Sequence, residues 1–528
     1  MQVHRPIVVS RKGLVVAGHH MAAEAGVRIL QQGGNAMDAA VAAAATLAVA
    51  IPHMNGLGGD AFALWFDRTK GRVLCINGSG GAPNKATLAH YQSLALDEVP
   101  QRGPLSISVP GAVHGWGTAL ERFGTIPLGA ALSPAIELAE TGTPVDRNLL
   151  DFFNGPIYAD LCKQFPSLIT VFSPPGLRPL ASVLRQPVLA NTLREIAKSG
   201  ITCLYGGEVG RALVADVARV GALLSVEDLA NHETELQTPL SIPFRGTRVY
   251  AAPPNSQGLA LLLLLGMLSF AQGECDGYPR DFFLRFMAIK HLAFKLRDQL
   301  VGEPRISQIP ETLLAPESLK NLVQSAQNND SNLPADAQVW RVGGGDTTCV
   351  VTMDEAGNAV SWVQSLFDEF GSGIVSESTG IVLHNRLHLA SLKKGRPNTL
   401  EPNHRPFHTL CPALVIGDGR CYLAIATPGD HGQPQTLAQV ILNIWGREMD
   451  IQQAIEAPRI RHDSGLEILY ENRLEEDFLA SLVESKYKLR SVGPWSRLMG
   501  GVNAIYFPPE TLKMGGADPR RASYAVAQ

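Results

Sequence analysis

A run of glycines, Gly343–Gly345, leads through Asp346 into the pair Thr347-Thr348. The apolar residues that follow are typical of a strand, so a flexible loop would deliver a hydroxyl residue to a strand start. If the Asp346–Thr347 bond were cut, Thr347 would carry both a hydroxyl and a free α-amine. An α-amine, whose ordinary pKa is about 7.7–8.0, accepts a hydroxyl proton near neutral pH. This spacing alone does not distinguish a nucleophile from an ordinary turn.

Further motifs on both sides of Thr347 form a longer pattern. They keep one order and span nearly the whole chain: Gly33-Gly34-Asn35-Ala36 with Asp38-Ala39-Ala40-Val41, Gly58-Gly59, Pro110-Gly111, Pro253-Pro254 with Ser256, Thr347-Thr348, Asp354 with Gly357-Asn358-Ala359-Val360, Phe370-Gly371-Ser372-Gly373, Pro428-Gly429 and Asp518-Pro519-Arg520. In residue types and order, this set resembles the gamma-glutamyltranspeptidase family, which belongs to the N-terminal nucleophile hydrolases.

The resemblance implies a fold and a maturation step. The fold would be α/β, a four-layer αββα sandwich. A single-chain precursor would cut itself at Asp346-Thr347 into a large chain, residues 1–346, and a small chain, residues 347–528. The two chains would together form one intertwined domain, and the resemblance also allows a dimer of these two-chain units. No cofactor and no metal are implied.

The resemblance also implies catalytic roles. Thr347 would attack an amide carbonyl with its own α-amine as base, and an acyl-enzyme would then pass to water or to an amine. Ser365 falls where the family has a threonine whose hydroxyl supports the nucleophile; the alternative is an ordinary strand serine. The backbone amides of Gly429 and Asp430 would form the oxyanion hole. Asp430 stands where the family has a glycine, and aspartate tolerates positive φ better than most residues.

The charged anchors of a glutamyl head group are missing from the positions where the family has them. Ser79 stands in place of the arginine that binds the α-carboxylate, and Leu389 in place of the aspartate that binds the α-amino group. The adjacent serines of the family pocket become His408-Thr409 and an asparagine becomes Phe367. Since a desolvated arginine–carboxylate pair is a strong interaction, this loss argues against glutamyl transfer.

One charge is gained instead, at Arg386, where the family pocket has a glutamine. A guanidinium there could bind a carboxylate close to the scissile carbonyl, which predicts a short acid amide of the oxamate kind as the small-molecule substrate. The alternative is an arginine on the surface or in an ion pair. His408 either donates to the same substrate or only fills the pocket. A γ-glutamyl hydrolase or transpeptidase acting on glutathione-like substrates and a glutaryl-amide (cephalosporin-type) acylase remain alternatives.

Two functions of other classes are also open. The pairs His384/His388 and His404/His408, together with His431, could build a metallohydrolase. No acidic ligand lies within either pair, however, and His-x-x-x-His without the glutamate of a zincin is weak evidence. A catalytically dead binding protein is the second possibility, against which the retained Thr347 and Gly429 argue.

Composition excludes several classes of protein. The 528 residues contain 45 Lys plus Arg against 49 Asp plus Glu, so there is no basic excess to favour nucleic acid or an anionic membrane surface. Hydrophobic residues make up 45% and charged residues 18%, which is typical of a globular chain with a large core. The seven cysteines show no metal-type spacing, so neither a zinc site nor a disulfide framework is predicted.

The elements around the nucleophile follow from the hydrophobic pattern. Strands at Thr348–Met353 and Ala359–Val363 flank a turn, and Gly380–Leu383 is also predicted to be a strand. Asp38–Ile51 is almost entirely small and apolar, which predicts a helix buried on every side. No apolar run reaches the roughly 20 residues of a membrane span, and the first residues lack the pattern of a signal peptide. We therefore expect a cytoplasmic protein with no membrane partner.

Overall fold

The structure is a computed structural model that describes residues 3–176, 178–271, 280–328, 346–474 and 487–528. The Gly343–Gly345 loop lies outside the described residues, so its predicted conformation stays a prediction. Both neighbours of the predicted cleavage bond, Asp346 and Thr347, are in the described part of the chain.

The strands belong to two large sheets and two small ones. In chain order they are β1 Val8–Ser10, β2 Leu14–Ala17, β3 Asp60–Asp67, β4 Arg72–Gly78, β5 Thr143–Pro144, β6 Val183–Leu184, β7 Glu235–Gln237, β8 Leu240–Phe244, β9 Thr247–Ala251, β10 Asp346–Met353, β11 Ala359–Phe367, β12 Ala413–Gly417, β13 Arg420–Ala426, β14 Ile460–His462, β15 Glu467–Tyr470, β16 Lys488–Ser491, β17 Asn503–Tyr506, β18 Lys513–Ala517 and β19 Tyr524–Ala527.

The helices cover these sheets. In chain order they are α1 His20–Gln31, α2 Ala36–Ala50, α3 Leu88–Ser93, α4 Ala112–Phe123, α5 Leu128–Thr141, α6 Arg147–Phe153, α7 Pro156–Gln164, α8 Ser167–Phe172, α9 Pro187–Ser199, α10 Glu208–Ala218, α11 Val226–Ala230, α12 Gly258–Phe270, α13 Arg280–Leu300, α14 Pro316–Asn328, α15 Gln433–Gly446 and α16 Ile451–Glu456. Short 3₁₀ turns lie at Pro104–Ser106, Ile201–Cys203, Glu311–Leu314, Arg386–Leu389, Asp430–Gly432 and Arg497–Met499.

Two seven-stranded sheets form the centre of the protein. One has the order β1-β18-β17-β13-β12-β9-β8 and the other the order β19-β2-β10-β11-β3-β4-β7. The strand pairs within both sheets are antiparallel, which lets each sheet pack one face on its partner and the other on helices. Both sheets contain strands from before and after residue 347, so the two parts of the chain are needed together to complete each sheet.

Three hydrophobic cores define the layers. Apolar residues of β2, β3, β10 and β11 meet those of β12, β13 and β17 in a core between the two sheets. A second core lies between the nucleophile-bearing sheet and helices such as α1, α2 and α5, and a third lies between the other sheet and α12, α13 and α15. The order of layers is helix, sheet, sheet, helix, and the predicted αββα sandwich is confirmed.

Most of the predicted elements near the nucleophile are present. β10 and β11 form the expected hairpin, and all residues of α2 are buried, as the run of small apolar residues predicted. The strand predicted at Gly380–Leu383 is wrong. Gly380 turns the backbone at φ +70°, and Val382 and Leu383 make only isolated bridges. Among the described residues, no helix is both long enough and apolar enough to cross a bilayer.

Candidate active site

Thr347 lies at the N-terminal end of β10, near the centre of its sheet. The register with β11 shifts between Asp346 and Thr348, so the strand is irregular at the predicted nucleophile. The Thr347 side chain is 2% exposed, and its Oγ1 donates a hydrogen bond of 3.0 Å to Ser365 Oγ on β11. The structure thus brings together the predicted nucleophile and the hydroxyl predicted to support it.

The end of β11 fixes Ser365 in place. Ser365 pairs with Asp60 of β3, and its Oγ accepts a 2.7 Å hydrogen bond from the backbone N–H of Phe367. Phe367 adopts φ +80°, which is rare for a bulky residue and concentrates in functional sites. With the Phe367 N–H donating to it, the Ser365 oxygen is positioned as an acceptor for the Thr347 hydroxyl.

The predicted oxyanion turn follows β13. Gly429 has φ +126° and Asp430 has φ +53°, so both residues lie in the region of positive φ. Asp430 therefore occupies the kind of backbone position that the replaced glycine would favour, and aspartate tolerates it. Gln257 holds the turn, because its Nε2 donates 2.9 Å to the Asp430 carbonyl and 2.6 Å to the Thr409 carbonyl.

Arg386 opens a 3₁₀ turn and is completely buried. Its Nη1 donates a 2.9 Å hydrogen bond to Thr409 Oγ1, and its guanidinium lies 4.3 Å from the centre of the Phe367 ring. The Nε and Nη2 atoms have no hydrogen-bond partner in the described structure. Burial lowers the pKa of Arg386 to about 10, while Asp60, Asp430 and Asp368 act in the opposite direction. The side chain is still a cation at neutral pH, with two donors unused.

His408 is bound to a carboxylate that the sequence analysis did not identify. Its Nε2 lies 3.2 Å from Asp60 Oδ2, and its Nδ1 accepts from the backbone N–H of Leu410. Both ring nitrogens are engaged, which favours the alternative that His408 fills the pocket. His384 lies 3.4 Å from the same Asp60 oxygen. Burial would raise the pKa of Asp60, but His384, His408 and Arg386 outweigh it and lower the pKa to about 2.

Ser79 belongs to a separate polar cluster. Its hydroxyl donates 2.7 Å to Asn77 Oδ1 and accepts 3.1 Å from Asn255 Nδ2, so its proton is already used. Leu389 is buried in the core under α12 and offers no charge to an ammonium. The roles of Ser79 and His408 in substrate binding stay predictions.

The histidines considered for a metallohydrolase are dispersed among different partners. His384 Nδ1 and His408 Nε2 lie 3.4 and 3.2 Å from the same oxygen of Asp60. His388 Nδ1 lies 2.7 Å from the Val99 carbonyl, and His404 lies 3.6 Å from Glu401. Over the described ranges, no group of three or more His, Cys, Asp or Glu side chains is arranged to hold a metal ion.

A cavity of about 290 Å³ borders the nucleophile. Thr347 and Pro428 line it together with apolar side chains that include Met54, Phe152 and Ile157. Arg386 is not among the lining residues, so the cavity and the buried guanidinium offer two different environments near Thr347. An amide bound at Thr347 has a mainly apolar space available on the cavity side.

Two residues that organise the site were not predicted from the sequence. Asp60 directly follows the Gly58-Gly59 motif, and a carboxylate at the start of an apolar strand was the available signal. Gln257 directly follows Ser256, but nothing in its sequence surroundings indicated that it would join the Thr409 and Asp430 backbones. Both residues act through contacts with distant segments, which a single sequence does not reveal.

The chain is similar in sequence to known proteins over nearly its whole length. The family model described as Gamma-glutamyltranspeptidase matches residues 22–528. Among curated proteins, the chain is 36% identical to the "Glutathione hydrolase-like YwrD proenzyme" of Bacillus subtilis over 98% of this chain and 99% of that protein. It is 34% identical to the "Oxamate amidohydrolase proenzyme" of Klebsiella pneumoniae over 97% of this chain and 98% of that protein.

A solved structure shows the same fold over the whole chain. The cephalosporin acylase of Bacillus halodurans superposes with a TM-score of 0.90 at 32% sequence identity, covering 100% of this chain and 98% of that one. The names of these three similar proteins refer to three different substrates, which are glutathione, oxamate and cephalosporin.

Proposed function

Since the chain belongs to the gamma-glutamyltranspeptidase family, we propose that it is a self-processing amidohydrolase with Thr347 as its N-terminal nucleophile. We further propose that it hydrolyses the amide of a small acidic substrate, with an oxamate-type short acid amide favoured. Cleavage at Asp346-Thr347 would leave a large chain of 346 residues and a small chain of 182.

The chemistry uses groups of the chain alone. The α-amine freed by cleavage takes the proton from Thr347 Oγ1, and that oxygen attacks the amide carbonyl. The backbone N–H groups of Gly429 and Asp430 stabilise the oxyanion. The ammonium then gives its proton to the leaving amine, and an acyl-enzyme remains. Water attacks this ester, with the amine again acting as base, and the acid product leaves Thr347 free.

One observation carries the choice of an acidic substrate. Arg386 is fully buried and cationic at neutral pH, and its Nε and Nη2 have no hydrogen-bond partner within the described ranges of the chain. It packs on Phe367, whose N–H donates to the Ser365 hydroxyl that accepts from Thr347. A desolvated guanidinium with unused donors is strongly stabilised by a carboxylate, which it can bind through two parallel hydrogen bonds. An acid whose carboxylate lies near the scissile carbonyl fits this position.

A second candidate is an acylase that releases a bulky amine. The cavity of about 290 Å³ beside Thr347 supports it, since an apolar amine could occupy the space near Met54, Phe152 and Ile157. The two candidates share the nucleophile and the carboxylate at Arg386. They differ in the acyl chain, which is short in an oxamate-type amide and five carbons long in a glutaryl amide, and in the size of the amine that leaves.

Processing is tested first. Purified protein should run as two bands, and N-terminal sequencing of the smaller chain should begin Thr-Thr-Cys-Val-Val. Thr347→Ala should remain a single chain of 528 residues without amidase activity. Cleavage of the alanine variant at the same bond would show that Thr347 is not the cleaving nucleophile.

The substrate is tested with a panel on the processed enzyme. We expect release of ammonia from oxamate and from short dicarboxylic acid monoamides, and much slower turnover of neutral amides of equal size. Glutaryl amides of aniline and of larger amines measure the acylase alternative. Equal turnover of acidic and neutral amides would remove the case for an acidic substrate.

A further inference from the structure

Arg297 lies on α13, in the helical layer next to the sheet whose strand β13 leads into the predicted oxyanion turn. Its side chain is completely buried, and its Nε donates a 2.8 Å hydrogen bond to the neighbouring Asp298. Its Nη1 donates 3.0 Å to Gln257 Oε1 and lies 3.3 Å from His431 Nδ1. Gln257 directly precedes α12, and His431 belongs to the 3₁₀ turn Asp430–Gly432. One guanidinium nitrogen therefore contacts two segments that are far apart in the sequence.

The side-chain amide of Gln257 connects this guanidinium to the turn. Its Nε2 donates to the Thr409 and Asp430 carbonyls at 2.6 and 2.9 Å, and its Oε1 accepts from Arg297. A guanidinium can only donate hydrogen bonds, and a carbonyl can only accept them. A flipped amide would therefore place its NH₂ group against Arg297 and its oxygen against two carbonyl oxygens. Arg297 thus fixes the one orientation in which Gln257 binds both carbonyls.

Aromatic rings hold the Arg297 guanidinium in place. Its central carbon lies 4.1 Å from the centre of the Phe294 ring and 5.1 Å from the centre of the Phe407 ring. The Phe407 ring is in turn stacked on the His431 ring, with an interplanar angle of 4° and 5.6 Å between the ring centres. A planar guanidinium packs on such rings and keeps its donors in fixed directions, whereas a lysine ammonium does not. The donor that reaches Gln257 is therefore rigidly placed.

The turn that Gln257 binds needs such support. Gly429 and Asp430 both have positive φ, and a residue other than glycine keeps such a backbone only where its surroundings enforce it. We propose that Arg297 is a positioning residue: through Gln257 it holds this turn in the orientation in which its backbone N–H groups face the oxyanion. This inference rests on the proposed function, in which the turn stabilises the oxyanion. Arg297 acts without touching the substrate.

Steady-state kinetics of substituted proteins test the inference. Arg297→Met keeps an apolar side chain at this position but loses the contacts with Gln257 and His431. Because the oxyanion develops only during the reaction, we expect kcat for an acidic amide to fall about 10- to 100-fold while KM stays within about twofold. Gln257→Met should have the same effect. Arg297→Lys retains a donor for Gln257 and should recover part of the loss.

The double variant Arg297→Met/Gln257→Met shows whether the arginine acts through the glutamine. It should lose no more activity than either single variant, because the second substitution removes a connection that is already broken. Losses that multiply in the double variant would show two independent roles and would overturn the inference.

Lys290→Met is the matched control. Lys290 lies on the same helix, is 5% exposed and has its Nζ 4.2 Å from the centre of the same Phe294 ring. Its hydrogen bond, however, goes to His462 Nδ1 at 2.6 Å and not to Gln257. We expect this variant to keep kcat within about twofold even where its stability falls. An equal loss of kcat in Lys290→Met would show that any disturbance of α13 slows the enzyme, and Arg297 would have no specific role.

Hydrogen exchange of the backbone amides, followed by mass spectrometry, measures the turn without any substrate. Exchange in residues 427–434 should become about tenfold faster in Arg297→Met and Gln257→Met and should be unchanged in Lys290→Met. If Arg297→Met is not recovered as folded protein, Gln257→Met and Arg297→Lys carry the same test. Unchanged exchange in the Arg297 and Gln257 variants would contradict the inference.

The outcomes separate this inference from the proposed function. If the wild-type protein cleaves itself and hydrolyses acidic amides, but the Arg297 and Gln257 variants keep its kcat, only the inference is wrong. If the wild-type protein neither cleaves itself nor hydrolyses amides, the proposed function is wrong. Hydrogen exchange then still shows whether Arg297 holds the turn.

Discussion

In two regions of the second half of the chain, arginine and carboxylate side chains are buried. The two regions differ in whether these side chains form ion pairs. In the first, which we call the closed network, Arg520 binds Glu471 through Nε and Nη2 at 2.7 and 2.6 Å and Asp518 through Nη1 at 3.1 Å. Arg459 binds the other Asp518 oxygen at 2.8 Å. In the second, which we call the open pocket, Arg386 Nε and Nη2 and Asp430 Oδ1 have no hydrogen-bond partner among the described residues.

The pKa shifts of Arg520 and Asp518 have the opposite signs to those of Arg386 and Asp430, whereas burial lowers the pKa of Arg459 to about 10, as it does for Arg386. In the closed network, Asp518 and Glu471 outweigh burial and raise the pKa of Arg520, and the arginines lower the pKa of Asp518 to about 2. In the open pocket, burial dominates, lowering the pKa of Arg386 and raising that of Asp430. Completed ion pairs are typical of a structural role, whereas buried charges with unused donors or acceptors are candidates for ligand binding.

The largest expected effect comes from breaking the closed network. Arg520→Met would leave Glu471 and Asp518 with a reduced number of partners in a dry environment. We expect it to lower the free energy of unfolding by about 3–5 kcal/mol, measured by denaturant titration of the processed protein. A loss below about 1 kcal/mol would show that the network contributes little to stability.

The next effect concerns activity in the open pocket. Arg386→Gln should lower kcat/KM for an acidic amide by a factor that corresponds to a loss of about 2–4 kcal/mol of transition-state stabilisation, mainly through a higher KM. Self-cleavage should proceed normally. Arg386→Lys should recover only part of this loss, because an ammonium cannot form the two parallel bonds of a guanidinium. A neutral amide of the same size serves as the control. If both substrates lose activity equally, Arg386 has a structural role.

The same substitution in the two regions gives the sharpest contrast in stability. Arg386→Met removes a buried charge that has no opposite partner, so it should leave stability unchanged or raise it by about 0.5–2 kcal/mol. Arg520→Met, in contrast, removes a paired charge. Thermal unfolding of both variants under identical conditions measures the difference. Similar destabilisation by both would mean that Arg386 is paired in solution, and the distinction between the two regions would be lost.

The smallest expected effect concerns an amine acceptor, which should not stimulate the turnover of a γ-glutamyl substrate. With Ser79 and Leu389 at the positions of the family's charged anchors, a γ-glutamyl chain has no charge at the far end to hold it. We expect γ-glutamyl anilide to be a poor substrate and glycylglycine to leave its turnover unchanged, measured by aniline release. Strong transfer to glycylglycine would show that the open pocket binds a full glutamyl head group.

The part of the site that lies on one hairpin could be predicted from the sequence. Thr347 and Ser365 lie on the consecutive strands β10 and β11, and the resemblance to the family had predicted that the Ser365 hydroxyl supports the nucleophile. The layer order also followed from that resemblance. The strand predicted at Gly380–Leu383 was wrong because a positive-φ glycine turned the backbone there.

The partners of the pocket residues could not be predicted in the same way. Asp60 lies close to His384 and His408, which are more than 300 residues away in the sequence. Gln257 donates hydrogen bonds to the backbone carbonyls of Thr409 and Asp430, which belong to two other segments of the chain. Such contacts are set by how the two sheets and their helices pack. Nothing in the local sequence of His408 distinguishes a ring held by Asp60 from one that faces a substrate.

The sequence by itself supplied a set of motifs, and their resemblance to the family predicted a threonine nucleophile after a glycine loop, a turn for the oxyanion, and an arginine where the family has a glutamine. Residue types and short spacings carry that resemblance. Only the tertiary structure decided which charges are neutralised, because that depends on the distance to groups far away in the chain. It paired Arg520 with Glu471 and Asp518, although Arg520 also lines the cavity beside Thr347, and among the described residues it left polar atoms of Arg386 and Asp430 without hydrogen bonds.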